Sequence, residues 1–237
     1  MSITDISDIY AEVEAEYAWR QDEIRFFQNQ STNAPENKQD QFRRVLILLL
    51  YAHFEGFCKF ALILYVNNVN AANIKCGEAN HAIAAASLAD LFKTLRNPDK
   101  KCAEFQRALP DDTELHQFAR HREFIEQSAR FEDRLVNIPE TLVDTESNLK
   151  PTVLRKNLYR LGFPHEQLRH VEGDINKLLN YRNKIAHGAS TAGIEYQEYL
   201  DLRNAAFRIM DEVKRMVLEA LQNRHYLRVR PLVDNSL

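Results

Sequence analysis

The sequence predicts an all-α protein, a bundle of five or more helices, and three observations lead there. Only 6 of its 237 residues are Gly and 7 are Pro, where ordinary usage of about 7% Gly would give roughly 17, so the chain has little punctuation for tight turns. Apolar residues recur at three- and four-residue steps through most of its length. Its 45% apolar and 27% charged residues suit a largely helical chain long enough to bury a sizeable core. The same glycine shortage excludes whole classes of function: neither G-x-G-x-x-G nor G-x-x-x-x-G-K-[ST] can be written anywhere, which removes Rossmann and P-loop readings. A single domain over residues 1–237 is expected, with 70–148 as an insertion or outer layer and 225–237 as a C-terminal tail.

Each element follows from its pattern. Ile6, Ile9, Val13 and Tyr17, continued by Ile24 and Phe27, make Asp5 to Gln28 a long amphipathic helix, and Gln30 to Asn37, with Pro35, a break. From Gln39 to Asn68 the chain is apolar nearly all round (Leu46 to Leu50, then Phe54, Phe57, Phe60, Leu62, Leu64), the mark of a central helix packed on several sides. Between Asn70 and Lys150, Pro98, Pro110 and Pro139 separate short helical patterns. Ser87 with Asp90 resembles a capping box opening a helix to Arg96, and Thr113 to Leu135 is a second, highly charged helical stretch. Thr152 to Leu161 reads as a short helix stopped by Gly162 and Pro164. His165 to His187 reads as one helix with Leu168, Val171, Ile175, Leu178 and Leu179 as its stripe. Glu195 to Gln222 is a long closing helix, and the tail from His225 alternates like a short strand or ordered arm at Tyr226, Leu227 and Val229.

Charge is uneven although the net is only -3. Residues 1–30 carry seven acids against two bases, while residues 150–230 carry fifteen Lys and Arg against nine acids. A basic segment in an acidic protein suits a polyanionic ligand, and equally a solvated helix face. Three widely spaced cysteines, Cys58, Cys76 and Cys102, without C-x-x-C, suit a reduced, cytoplasmic chain, and the opening residues lack a basic, apolar leader. The one membrane candidate, Val45 to Val66, is interrupted by His53, Glu55 and Lys59, so no membrane association is expected.

Chemistry concentrates in Ile175 to Gly188. Counting by sevens from Ile175 puts Arg182 on the core stripe, where a guanidinium requires compensation or a wet cleft. His187 follows five residues later, about 140° away on an unbroken helix, so the two side chains are not simple neighbours. Asn183 is four residues before His187, within reach to hydrogen-bond the imidazole and fix its tautomer. Gly188 is placed to end the helix as its C′ residue, leaving His187 in the last turn, where the helix dipole favours imidazolium. In a purely structural alternative, Arg182 pairs with a buried carboxylate and His187 is a polar helix-end residue.

The run Arg182-Asn183-x-x-x-His187 resembles the R-x4-6-H motif of the HEPN superfamily. Tyr51 to Phe57 in its apolar helix, the Asn148 to Gly162 helix ending in Arg160-Leu161-Gly162, Arg182 to Gly188 and Glu195-Tyr196 opening the final helix together resemble the stand-alone prokaryotic MAE-like HEPN group over about residues 5–70 and 148–222. The resemblance implies an antiparallel helical bundle of the HEPN type that dimerises. It also implies metal-independent endoribonuclease activity without a cofactor, RNA as substrate, and an antitoxin or defence-system partner. Arg182 would stabilise the scissile phosphate and His187 would act as general acid or base. The alternative within the family is a non-catalytic nucleotide- or RNA-binding or protein-interaction module.

Further candidates are weaker. Tyr51, Glu55 and Lys59 make a polar stripe on the central helix; Glu55 and Lys59 have the order of an i, i+4 pair, or Glu55, with His53, faces Arg182 and positions it. Gly56 would allow close helix approach beside Glu55. Cys58 reads as a small buried hydrophobe. His116 with His121, and His165 with His170, lack the cysteine or carboxylate spacing of a zinc site, so no metal ligand is assigned.

Overall fold

The computed structural model describes residues 5–189 and 192–229. Among them are eight α-helices and no β-strand: α1 (Ile6–Thr32), α2 (Glu36–Ala71), α3 (His81–Ser87), α4 (Ala89–Arg96), α5 (Thr113–Ser128), α6 (Pro151–Arg160), α7 (Glu172–Ala186) and α8 (Tyr196–Gln222). Short 3-10 turns lie at Glu140–Leu142 and His165–Val171.

Asp5 caps α1 through its side chain, which accepts from Ser7 N at 3.1 Å. Pro35, the N-cap of α2, follows a link of a few residues, so α1 and α2 return antiparallel. The all-round apolar character of α2 is used on three sides, because α8, α1 and α7 all pack on it. Phe54, Phe57, Cys58, Ala61, Val66 and Val69 have no exposed surface. By length and composition α2 could cross a membrane, but 56% of its most apolar window is buried within the bundle. The closing helix buries Tyr199, Leu202, Ile209, Met210, Val213 and Val217 against this core.

The middle of the chain contributes Ile83, Ala86, Ile138 and Val143 to the same buried cluster and is tied by backbone hydrogen bonds within itself and to the tail. Cys76 N donates to Arg134 O at 2.7 Å and Val136 N to Ile74 O at 2.9 Å. Asn80 N donates to Tyr226 O at 2.8 Å and Arg228 N to Glu78 O at 2.7 Å, which makes the tail after His225 an ordered arm as far as Val229. Residues 230–237 of the expected tail lie outside the described residues.

Three boundaries differ from expectation. Ser87 does not cap α4; it closes α3, and its hydroxyl accepts from Asn137 N at 2.9 Å, while α4 has no side-chain cap. A buried hydroxyl here serves the incoming outer-layer backbone instead. The charged stretch from Thr113 leaves the helix at Ser128, because residues 132–136 turn to pair with 74–77. The stretch His165 to His187 is not one helix: its first turn is 3-10, and α7 starts at Glu172. Within this turn the exposed Glu166 carboxylate pairs with Arg155 of α6, Arg169 and His165.

Candidate functional site

Leu178 and Leu179 seat α7 on the core, and the next turn carries Arg182 to the rim of the bundle, where it is half-buried. Its guanidinium carbon lies 5.1 Å from the centroid of the Tyr51 ring. Nη1 donates to Asn148 Oδ1 at 2.8 Å and to Asn183 Oδ1 at 2.9 Å. Among the described residues no carboxylate pairs with Arg182, so the structural alternative of a buried ion pair is not what forms. Two amide dipoles and a ring face hold the cation without neutralising it, which leaves its charge available to an anion.

Tyr51 is the floor of this arrangement. Its ring is 2% exposed and its hydroxyl accepts from Leu149 N at 2.8 Å. Burial, reinforced by the neighbouring Glu55 carboxylate, pushes its phenol up to about 12, so it stays neutral at any physiological pH. Leu149 and Asn148 belong to a turn in which Glu146 (φ +50°) and Ser147 (φ +66°) are both left-handed without being glycine. Each such residue costs roughly 1 kcal/mol or more. Several contacts hold the turn against that cost. Asp144 Oδ1 accepts from Glu146 N at 2.8 Å, Glu146 pairs with Lys156, and the buried Asn157 donates to Asp144 O at 2.8 Å.

His187 is the C-cap of α7, one residue beyond the last helical position, and is exposed. Gly188 (φ +66°) is the C′ residue, with its N–H on Ile185 O at 3.2 Å and Ala189 N on Lys184 O at 2.9 Å, a complete Schellman motif. Among the described residues nothing hydrogen-bonds the imidazole. The expected contact from Asn183 is absent because Asn183 Oδ1 accepts from the Arg182 guanidinium, a charged and stronger donor. Asn183 thus orients the arginine and not the histidine.

The supporting residues separate. Glu55 is half-buried beside the Tyr51 phenol and reaches Arg182 only through that ring. Lys59 is exposed and forms no ion pair with Glu55, whose carboxylate is turned to Tyr51 instead. His53 does not face Arg182. Two residues from Tyr51 is about 200° of helix, which puts His53 against α1, with Nε2 2.7 Å from Glu23 Oε2 and its ring edge-on to Trp19. Burial lowers the His53 pKa, with Glu23 opposing it. Over Gly56 it is the Arg20 guanidinium that packs, 3.9 Å from where a Cβ would stand, and not a neighbouring backbone. Cys58 is fully buried and its thiol is pushed up by that burial. His116 is buried between Cys102 N and Pro110 O, while His165 and His170 meet Glu166 and Glu212. Among the described residues no three His, Cys, Asp or Glu converge as metal ligands.

The sequence offers Tyr51 within a polar stripe and Asn148 as the start of a helix, but for neither does it give Arg182 as the partner, and the structure puts Asn148 in the turn before α6, which begins at Pro151. Tyr51 carries a signal, since it extends the polar stripe of Glu55 by one turn. At Asn148 the polar cluster Thr145 to Asn148, ahead of Pro151, is the signal for that turn, and it indicates no partner.

Comparison with known families agrees with the motif. A family model described as HEPN_MAE_28990, MAE-like HEPN, matches residues 9–226, a span that includes the middle segment from which no motif had been read. No curated protein and no solved structure matches the chain. The all-helical bundle and the match over most of its length establish that the chain belongs to the MAE-like group of the HEPN superfamily.

Proposed function

We propose that the protein is a metal-independent endoribonuclease that acts as a toxin or antiviral defence effector in the cytoplasm. The observation that carries this reading is Arg182, a guanidinium held in place by neutral groups only, just before the last turn of the helix that ends at an exposed histidine. A phosphodiester fits that cation, and imidazole is the side chain whose ordinary pKa suits proton transfer near neutrality. In the reaction His187 takes the 2′-OH proton as the oxygen attacks phosphorus. The bond to the 5′-oxygen breaks, that oxygen is protonated, and the products are a 2′,3′-cyclic phosphate and a 5′-OH. Arg182 stabilises the charge on the phosphoryl oxygens.

One protomer supplies one imidazole, while the cleavage needs both a base and an acid. A homodimer with two-fold symmetry would bring two Arg182–His187 pairs to one cleft and supply both roles. An antitoxin or defence-system partner would then act by covering that cleft. Purified protein incubated with RNA in chelator should cleave it, and Arg182→Ala or His187→Ala should abolish cleavage while the helical spectrum is unchanged. Cleavage by the folded double variant overturns the reading. The second reading, a non-catalytic RNA- or nucleotide-binding module, is favoured by the imidazole's lack of an orienting partner among the described residues. RNA binding without turnover is the result that would select it.

A further inference from the structure

Asn148 belongs to neither arm of the R-x4-6-H motif, yet it determines which edge of Arg182 is left open. A guanidinium has five N–H donors, two on each Nη and one on Nε. Both Nη1 hydrogens are used, one on Asn148 Oδ1 at 2.8 Å and one on Asn183 Oδ1 at 2.9 Å. Tyr51 covers one face of the plane. Among the described residues Nε and Nη2 make no hydrogen bond, and these two donors lie side by side in the spacing that takes two oxygens of one phosphate.

From this geometry we infer that Asn148 is a positioning residue, which with Asn183 and Tyr51 fixes Arg182 so that its Nε–Nη2 edge receives the phosphodiester. The role explains three features together. The acceptor at 148 is an amide and not a carboxylate, so it orients the guanidinium without cancelling its charge. The turn carrying it keeps two left-handed non-glycine residues and is anchored from α6 by Lys156 and Asn157. Its next residue, Leu149, is tied to the same Tyr51 that floors the guanidinium, so turn and floor move as one unit.

The inference rests on the ribonuclease reading for its catalytic consequence, but not for its anion-binding one, and the test keeps the two apart. Cleavage of a short RNA and binding of an oligonucleotide with every 2′-hydroxyl methylated would be measured for wild type, Asn148→Ala, Asn148→Ser and Asn148→Asp. Asn148→Ala should lose about 10²-fold in kcat, as misplacement of a positioned group does, with a smaller change in KM. Asn148→Ser, which retains an oxygen, should recover part of that loss. Asn148→Asp, nearly isosteric and able to hold the turn, should instead raise KM and reduce the salt dependence of oligonucleotide binding by about one phosphate contact. A merely structural role for residue 148 would leave Asn148→Asp like wild type, and that result overturns the inference. So does a folded Asn148→Ala with wild-type kcat. If wild type binds the methylated oligonucleotide and the Asn148→Asp effect on salt dependence is seen, but no RNA is cleaved, the ribonuclease reading fails and the clamp stands. If wild type neither binds nor cleaves, both fail.

Discussion

Arg182 shows what a single residue's surroundings contribute beyond its type. Heptad counting placed it on the apolar stripe, and a cation there demands compensation; the compensation is two amides and an aromatic face, none of them at a spacing that the helix reveals. Asn148 is 34 residues away in sequence and reaches Arg182 only because a strained turn delivers it. By contrast Gly188 was legible, since a glycine just after an apolar stripe is a helix stop with a stereochemical cause. Gly188→Ala should therefore destabilise the fold by about 1 kcal/mol in a denaturant titration, through its positive φ and not through any clash. Gly193 is a different case. A Cβ there would stand 2.0 Å from Asp40 Oδ2 and 2.5 Å from Asp40 Cβ. Gly193→Ala should cost about 1–3 kcal/mol as an overpacked site, and adding Asp40→Gly, which removes the Cβ as well as the carboxylate, should return most of that, a non-additivity that a double-mutant cycle reads directly.

At the scale of elements, the long helices were legible and the junctions were not. Periodicity located α1, α2 and α8 to within a few residues because each buries a continuous stripe in one core. It read residues 165–187 as a single helix because 3-10 and α turns place apolar residues at nearly the same steps. The capping-box reading of Ser87 failed because its hydroxyl is claimed by a backbone N–H from 50 residues away. The outer layer has its own pin in His116, 1% exposed and bridging Cys102 N and Pro110 O. Removing it leaves the half-buried Cys102 N–H and the exposed Pro110 carbonyl without their protein partner, a loss of about 0.5–1.5 kcal/mol for each hydrogen bond. His116→Ala should speed hydrogen exchange in residues 97–126 while leaving α2 and α8 protected.

For the molecule as a whole, the bundle places a long hydrophobic helix at the centre and packs the other helices, the middle segment and a C-terminal arm around it. Its tyrosines report on that burial. Tyr51 and Tyr199 are pushed up to about 12 mainly by desolvation, and Tyr181 to about 12 mainly by its hydrogen bond to Glu198. An unfolded tyrosine ionises near pH 10. Between about pH 10 and 12 the unfolded chain therefore releases protons that the native one retains, so this contribution to stability, fully present below pH 10, is lost across that window. Denaturant midpoints should fall steeply there; because Tyr10, Tyr159 and Tyr196 are exposed, the readout is the phenolate absorbance that Tyr51→Phe removes, which should appear in step with unfolding, and that increment appearing in the intact fold near pH 10 would contradict the burial. Family membership was legible in the motif-bearing helices, whereas the matched span extends through the middle segment, where no motif stands out.

The central claim is that Arg182 and His187 perform metal-independent cleavage through the 2′-hydroxyl. Its most direct measurement is end-group analysis of one defined RNA, incubated in chelator with wild type and with His187→Ala, beside the same RNA methylated at its 2′-hydroxyls. Wild type should leave 2′,3′-cyclic phosphate and 5′-OH ends, His187→Ala should be slowed by at least about 10²–10⁴, to below detection, and the methylated RNA should not be cleaved. Cleavage of the methylated RNA, or a folded His187→Ala that cleaves at the wild-type rate, would contradict it.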